Sequence, residues 1–306
     1  MEKQQSNAKM ISVRAKVLII LYILFLSVLA GIKVGQGEDI TRVYLPMVKR
    51  DGVIPIGMAS NPLYWNINGY STVMEKYDLY TPEVAGWYYV VSTRGWNEMD
   101  ALVSYADSVG KPVFYHCLSW NFLTEPTNYE AWIVEAMNRY PSIMDWVVVN
   151  ENYLDPQIVW KYTVVRNTRP DARLWYNGMF YDIAEQDAVK RLIVDGHVDA
   201  VGLQFHHNLN TDESVYIPLL EWLHANAVPW RITELDVAIP NDAEATLVMQ
   251  ANAYREAVEL CWEYGCEAVT VWGAADGISN WLTEYFPLPF NENFETKPAW
   301  SILRNE

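Results

Sequence analysis

The feature that most constrains this chain is an alternation. From Val53 onward, short apolar runs rich in β-branched residues take turns with longer polar-and-apolar stretches. The short runs read as strands over residues 53–59, 78–82, 112–118, 145–151, 173–177, 199–206, 229–237 and 267–274. They are continuously apolar, not alternating, which is the pattern of strands buried on both faces in a parallel sheet. Helices are expected to begin near Ile67, Asn97, Asn128, Pro156, Ile183, Glu213, Asp242 and Lys297. Asp155 before Pro156, and Asp242 before Ala243 and Glu244, read as N-caps. Gly110, Gly196 and Gly265 fall where helices should stop. Eight strand–helix units in about 250 residues is the count of a (β/α)8 TIM barrel. A doubly wound open sheet would need a glycine-rich phosphate turn after an early strand, but Gly57 stands alone there. The expectation is therefore an α/β fold, one (β/α)8 domain over residues 52–306.

The stretch before it reads differently. Residues 1–16 carry Lys3, Lys9, Arg14 and Lys16 against Glu2, and residues 17–30 are apolar. A basic head and an apolar run shorter than the usual span of about 20 residues describe a secretory signal peptide, or a signal anchor if uncleaved. Either places the remainder outside the cytoplasm, secreted or tethered facing outward. Residues 31–51 read as a linker.

The net charge of −16 argues against nucleic acid or an anionic membrane as partner, whereas a neutral polysaccharide is compatible with it. The 14 tryptophans and 20 tyrosines supply both core and platforms on which sugar rings stack. No cysteine–histidine cluster has metal spacing, and no cofactor is expected. Cys261 and Cys266 are near enough in sequence for a local disulfide, which export would permit. Cys117 reads as a buried thiol.

In a barrel of this kind, chemistry sits at the C-terminal strand ends. Those ends present His116 and Trp120, Asn150 and Glu151, Asn177, Gln204 and His206, Glu234 and Asp236, then Trp272 and Asp276. His207 reads as a surface residue, and Asp236 as a salt-bridge or supporting partner. Glu151 and Glu234 end apolar runs in which an unpaired carboxylate would be costly. Two carboxylates delivered from separate strands are what acid-assisted nucleophilic cleavage of a glycosidic bond requires. The blander reading makes them strand-end salt bridges.

The motifs His116-Cys117-Leu118-Ser119-Trp120, Val148-Val149-Asn150-Glu151, Gly202-Leu203-Gln204-Phe205-His206, Ile232-Thr233-Glu234-Leu235-Asp236-Val237 and Thr270-Val271-Trp272-Gly273 follow one another in an order that resembles glycoside hydrolase family 10, the xylanase family. Asp276, Ser279, Trp281 and Lys297-Pro298-Ala299-Trp300 extend the resemblance. It implies a retaining hydrolase of the endo-1,4-β-xylanase kind, with Glu151 as general acid/base and Glu234 as nucleophile. Asn150 would hold the 2-hydroxyl of the sugar being cleaved, and His116 would bind the same sugar. His206 would hydrogen-bond the nucleophile, with Gln204 beside it, and Asn177, at its own strand end, is a candidate donor that would help keep the nucleophile ionised. Trp272 and Trp281 would wall the glycone side, and Trp120 is a further candidate substrate contact at its strand end. The cysteine pair also lies where the family often has a disulfide. A monomer acting on a xylan-like polysaccharide or oligosaccharide, with no obligate protein partner, is implied.

The departures from the family pattern concern substrate. After Thr81-Pro82-Glu83 come Val84, Ala85, Gly86 and Trp87, where polar residues and a lysine grip the next sugar inward. Trp87 would stack where the lysine would hydrogen-bond. Asn121 stands in place of a second histidine, Gly178 and Met179 follow Asn177, and the chain between Glu151 and Arg173 is short. The same mechanism on another β-glycan, a short oligosaccharide or an aryl glycoside stays open, as does a binding barrel without turnover.

Overall fold

The computed structural model describes residues 53–90, 95–120, 128–278, 282 and 284–305. The expected N-terminal signal or anchor and the expected linker fall, with Asn121, Ser279 and Trp281, outside the described residues. Eight parallel strands follow one another around a barrel in chain order: β1 Ile56–Ser60, β2 Leu79–Pro82, β3 Phe114–Tyr115, β4 Asp145–Asn150, β5 Arg173–Gly178, β6 Ala200–Leu203, β7 Trp230–Ala238 and β8 Val269–Val271. β1 pairs with both β2 and β8. The seam between β2 and β3 is held by a bridge from Tyr80 to Val113 and by the Tyr80 amide donating to Pro112 at 3.0 Å. Two short extensions continue strands toward their C-terminal ends: Ser119–Trp120 beside β4 and His206–Asn208 beside β7.

The helices fill the outer ring. Gly110 and Gly265 end theirs in the left-handed conformation, as expected of glycine C-caps. Two caps differ from expectation. The helix Glu244–Tyr264 is preceded by Ala243, and Asn241, not Asp242, accepts the Ala243 amide at 3.1 Å. Asp155 accepts the Gln157 amide at 2.8 Å one turn before the helix Ile158–Thr168 begins, because Pro156 starts a turn and not the helix.

The core has two parts, as a closed barrel dictates. Leu79, Phe114, Cys117, Val147, Trp175, Ala200 and Ala268 fill the interior, and a larger apolar layer lies between strands and helices. Below the interior plug, Arg173 and Arg231 pair with Asp145 and Glu267 at 2.6–3.3 Å, so these inward charges neutralise one another. Burial pushes the Asp145 carboxyl up, but the hydrogen bond from Arg173 and the charges of both guanidiniums outweigh it and hold the carboxyl below its usual range.

Two β-bulges decide what the barrel presents at its top. Val147 faces Trp175 in the pairing of β4 with β5, but the next pairs are Val149 with Tyr176 and Asn150 with Asn177, so Val148 is extra. Strand side chains alternate with period two, so without the extra residue Asn150 would turn outward. With it, Asn150 and Asn177 share one inward layer above Val147 and Trp175. β7 carries a similar irregularity against β8, where Ile232 pairs with Val269 and Leu235 with Val271. Three residues of β7 therefore span two of β8, and both Thr233 and Glu234 reach the interior.

Candidate active site

Glu234, only 3 % exposed, stands at the centre of the upper barrel. Its Oε1 accepts the Asn177 side-chain amide at 2.6 Å and the Gln204 amide at 2.9 Å. Its Oε2 lies 3.1 Å from His206 Nε2, and the other nitrogen of that ring lies 2.8 Å from Asp236 Oδ2. Burial alone would discharge His206, but the charge of Asp236 and hydrogen bonds to both carboxylates push it up to about 10. At neutral pH the imidazole is therefore a cation with a hydrogen on each nitrogen. For Glu234 burial pulls upward, yet His116, His206 and the Asn177 amide outweigh it, so the carboxyl sits below its ordinary value and stays ionised. His116 Nε2 is 3.8 Å from Glu234 Oε1, too long for a hydrogen bond, and burial pulls that imidazole below its usual value despite the two glutamates beside it.

Glu151 follows the last residue of β4. Its φ of 62° places it in the left-handed region, which a residue with a Cβ adopts at a cost. The Glu151 amide donating to Asn177 O at 2.8 Å holds that bend. The side chain accepts from Gln204 Nε2 at 2.8 Å and Asn150 Nδ2 at 3.2 Å on Oε1, and from the Trp120 indole at 3.1 Å on Oε2. One nitrogen thus touches both glutamates. Contacts of 2.8 and 2.9 Å from that nitrogen cap the separation of the two Oε1 atoms at about 5.7 Å.

The scaffold beneath is an amide network. Asn150 Oδ1 accepts from Asn177 at 2.7 Å and from Gln204 at 3.0 Å, and Thr233 donates to Asn177 Oδ1 at 2.5 Å. Gly202 makes room for it, since a Cβ there would meet Asn177 Oδ1 and stand 2.7 Å from Thr233 Cγ2. All acceptors face Gln204 Nε2, which fixes the orientation of that amide.

Glu151, Glu234, His116, Trp120, Asn150, Asn177, Gln204 and His206 are thus brought to one mouth. Trp272 joins them, its ring 5.1 Å from His116 and 6.3 Å from His206, edge-on to both. Trp87 opens a short turn, Trp87–Tyr89, and packs half-buried against the outer core. Asp276 is not part of the mouth: its carboxylate is bound by Lys297 at 2.8 Å and by the Leu288 amide at 2.9 Å. His207 is not at the surface. It is 3 % exposed, stacked on Phe205 and Tyr216, with Nδ1 3.4 Å from Glu213. Thr233 also belongs to the site, although a hydroxyl in an apolar run gives no signal in the sequence until the bulge turns it inward. Cys261 and Cys266 are joined, their Cα atoms 4.7 Å apart, while Cys117 is free and buried after a cis peptide bond from His116.

Comparison with known proteins agrees with this arrangement. The sequence profile of glycosyl hydrolase family 10 matches residues 46–306. The chain is 25 % identical over 304 residues to endo-1,4-beta-xylanase 3 of Hypocrea jecorina, covering 84 % of this chain and 83 % of that one. It is 28 % identical over 259 residues to endo-1,4-beta-xylanase 2 of Aureobasidium pullulans, covering 67 % and 71 % respectively. Among solved structures, a GH10 xylanase of Thermobacillus composti superposes with a TM-score of 0.73 at 23 % identity, over 82 % of this chain and 96 % of that one. TsXylA, an intracellular xylanase of Thermoanaerobacterium saccharolyticum, superposes equally well, at 21 % identity over 82 % and 95 %. With a profile match spanning the whole barrel, this chain belongs to glycosyl hydrolase family 10 and is a glycoside hydrolase.

Proposed function

We propose that the protein cleaves β-1,4-xylosidic bonds by double displacement, with Glu234 as nucleophile and Glu151 as general acid/base. The observation that carries this reading is the shared Gln204 nitrogen, which holds one oxygen of each carboxylate, the two Oε1 atoms, within about 5.7 Å. Retaining glycosidases keep their carboxyls about 5–5.5 Å apart, whereas inverting ones need about 6.5–9.5 Å to admit a water between them. In the first step ionised Glu234 attacks the anomeric carbon while Glu151 gives its proton to the departing oxygen. In the second, Glu151 takes a proton from water, whose oxygen attacks the same carbon and frees Glu234. Cationic His206 and the Asn177 amide keep Glu234 charged and aimed. Asn150 and His116 hold the sugar being cleaved, and Trp272 walls it.

Xylan as substrate is supported by the curated relatives, which are named endo-1,4-beta-xylanases. The next sugar position inward would differ from the family pattern. Val84 is buried, and the Ala85 carbonyl is tied to the Tyr115 hydroxyl at 2.8 Å, so this segment serves the core, with Trp87 left to stack on a ring. Short chains should therefore suit the enzyme. Secretion, or an outward-facing tether, and action as a monomer complete the proposal. Reducing-sugar release from soluble β-1,4-xylan, β-1,4-glucan and mixed-linkage β-glucan tests the substrate. Xylan is expected to be turned over at least tenfold faster than either glucan. A clear preference for a glucan would contradict the assignment, and binding without release would favour a barrel that only holds carbohydrate.

A further inference from the structure

Lys161 is a lysine on the helix Ile158–Thr168 with 1 % of its surface exposed. Its ammonium lies 2.5 Å from Asp155 Oδ2, 2.8 Å from Ser119 Oγ and 4.9 Å from the centroid of the Tyr129 ring. Packing a helix against strands does not require a buried charge. An apolar side chain fills such a position without removing an ammonium from water. What the ammonium does is join two pieces of chain. Asp155 belongs to the short connection that leaves Glu151. Ser119 precedes Trp120 on the strand extension that pairs with Val149 and Asn150. Trp120 donates its indole hydrogen to Glu151 Oε2 at 3.1 Å. The segment that carries the Glu151 carboxyl and the segment that donates to it are therefore clamped by one cation, next to a residue held in a strained backbone conformation.

We infer that Lys161 is a positioning residue for the proton transfer at Glu151, acting through Ser119 and the Trp120 indole. The inference rests on the reading of Glu151 as general acid/base. A loosened clamp lets the carboxyl that donates the proton drift from the leaving oxygen. Geometry matters only when that proton is needed, so the defect should depend on the leaving group.

The test compares two aryl β-xylobiosides with the whole protein. Phenolate leaves poorly and needs the proton, and 2,4-dinitrophenolate leaves without it. Lys161→Met is expected to lose roughly tenfold in kcat/KM on the phenyl substrate. On the dinitrophenyl substrate it should stay within about twofold of the parent. Ser119→Ala, which removes the same link without stranding the Asp155 charge, should show the same split even if Lys161→Met folds poorly. Adding Lys161→Met to Trp120→Phe should cost little beyond Trp120→Phe alone, because both act on one path. Equal losses on the two substrates, no loss on either in Lys161→Met and Ser119→Ala, or full additivity with Trp120→Phe would overturn the inference. Glu151→Ala separates the two levels. If it shows the leaving-group split and the Lys161 and Ser119 variants do not, the clamp alone is wrong. If Glu151→Ala shows none, the role of Glu151 is wrong and the clamp falls with it.

Discussion

Glu234→Ala is expected to lower hydrolysis by on the order of 10^4-fold or more, because it removes the atom that forms the covalent bond. The fold should persist. Asn177 keeps its contacts to Asn150 at 2.7 Å and Thr233 at 2.5 Å, and His206 keeps Asp236 at 2.8 Å. The cavity left is small and lined by donors that water satisfies. Reducing-sugar release and circular dichroism on the same sample check this. A folded variant with undiminished turnover would remove Glu234 from the chemistry, and an unfolded one would make it a structural carboxylate.

Asp236→Asn should be nearly as informative, since it changes one charge and almost no volume. Asp236 is fully buried, and burial raises its carboxyl despite His206 beside it. The stable description is a carboxylate–imidazolium pair whose second N–H points at Glu234. With asparagine the charge that holds the proton on His206 is gone, and burial drives the ring neutral. A neutral ring that donates Nδ1–H to the asparagine oxygen turns a lone pair on Nε2 toward Glu234 Oε2, 3.1 Å away. Glu234 then loses a donor and faces repulsion. The expected result is a fall in kcat of about 10- to 100-fold at pH 8, smaller at pH 5, with the alkaline limb of kcat/KM moved down by at least a unit. The sign for stability follows from the same shift. His206 titrates at about 10 in the fold and near 6.5 in an unfolded chain. Its protonation therefore stabilises the parent fully below about pH 6.5, and that contribution is lost as pH rises through about 10. The variant should show a flatter loss of thermal stability over this window. Parallel pH profiles for parent and variant would contradict the account.

The sequence made the barrel legible because its strands are buried on both faces and its helix stops use glycine at the required places. All eight strand positions overlap the runs of β-branched residues that announced them. The site was legible at the level of strand ends, since a carboxylate or amide at the close of an apolar run has few uses in a core. Local pattern did not reveal orientation. Alternation counted from Asp145 points Asn150 away from the interior, and only the extra Val148 brings it back. The same effect hid Thr233. His207 looked like a surface residue because imidazole next to His206 suggests alternation, yet on the strand extension His206–Asn208 it turns inward and stacks against Phe205 and Tyr216. Asp276 sits near a strand end but answers to Lys297, more than 20 residues later, a partner that sequence distance conceals. Lys161 was silent for a related reason: a lysine in a helix reads as solvent-facing until tertiary structure closes over it.

The most direct test of double displacement is the anomeric configuration of the first product, followed by proton NMR as soluble xylo-oligosaccharide is cleaved. Two carboxyls bridged through their Oε1 atoms by one Gln204 nitrogen predict a β-anomer that appears first and then mutarotates to the equilibrium mixture. Initial appearance of the α-anomer would mean a single displacement by water, and the assignment of Glu234 as a nucleophile would be wrong.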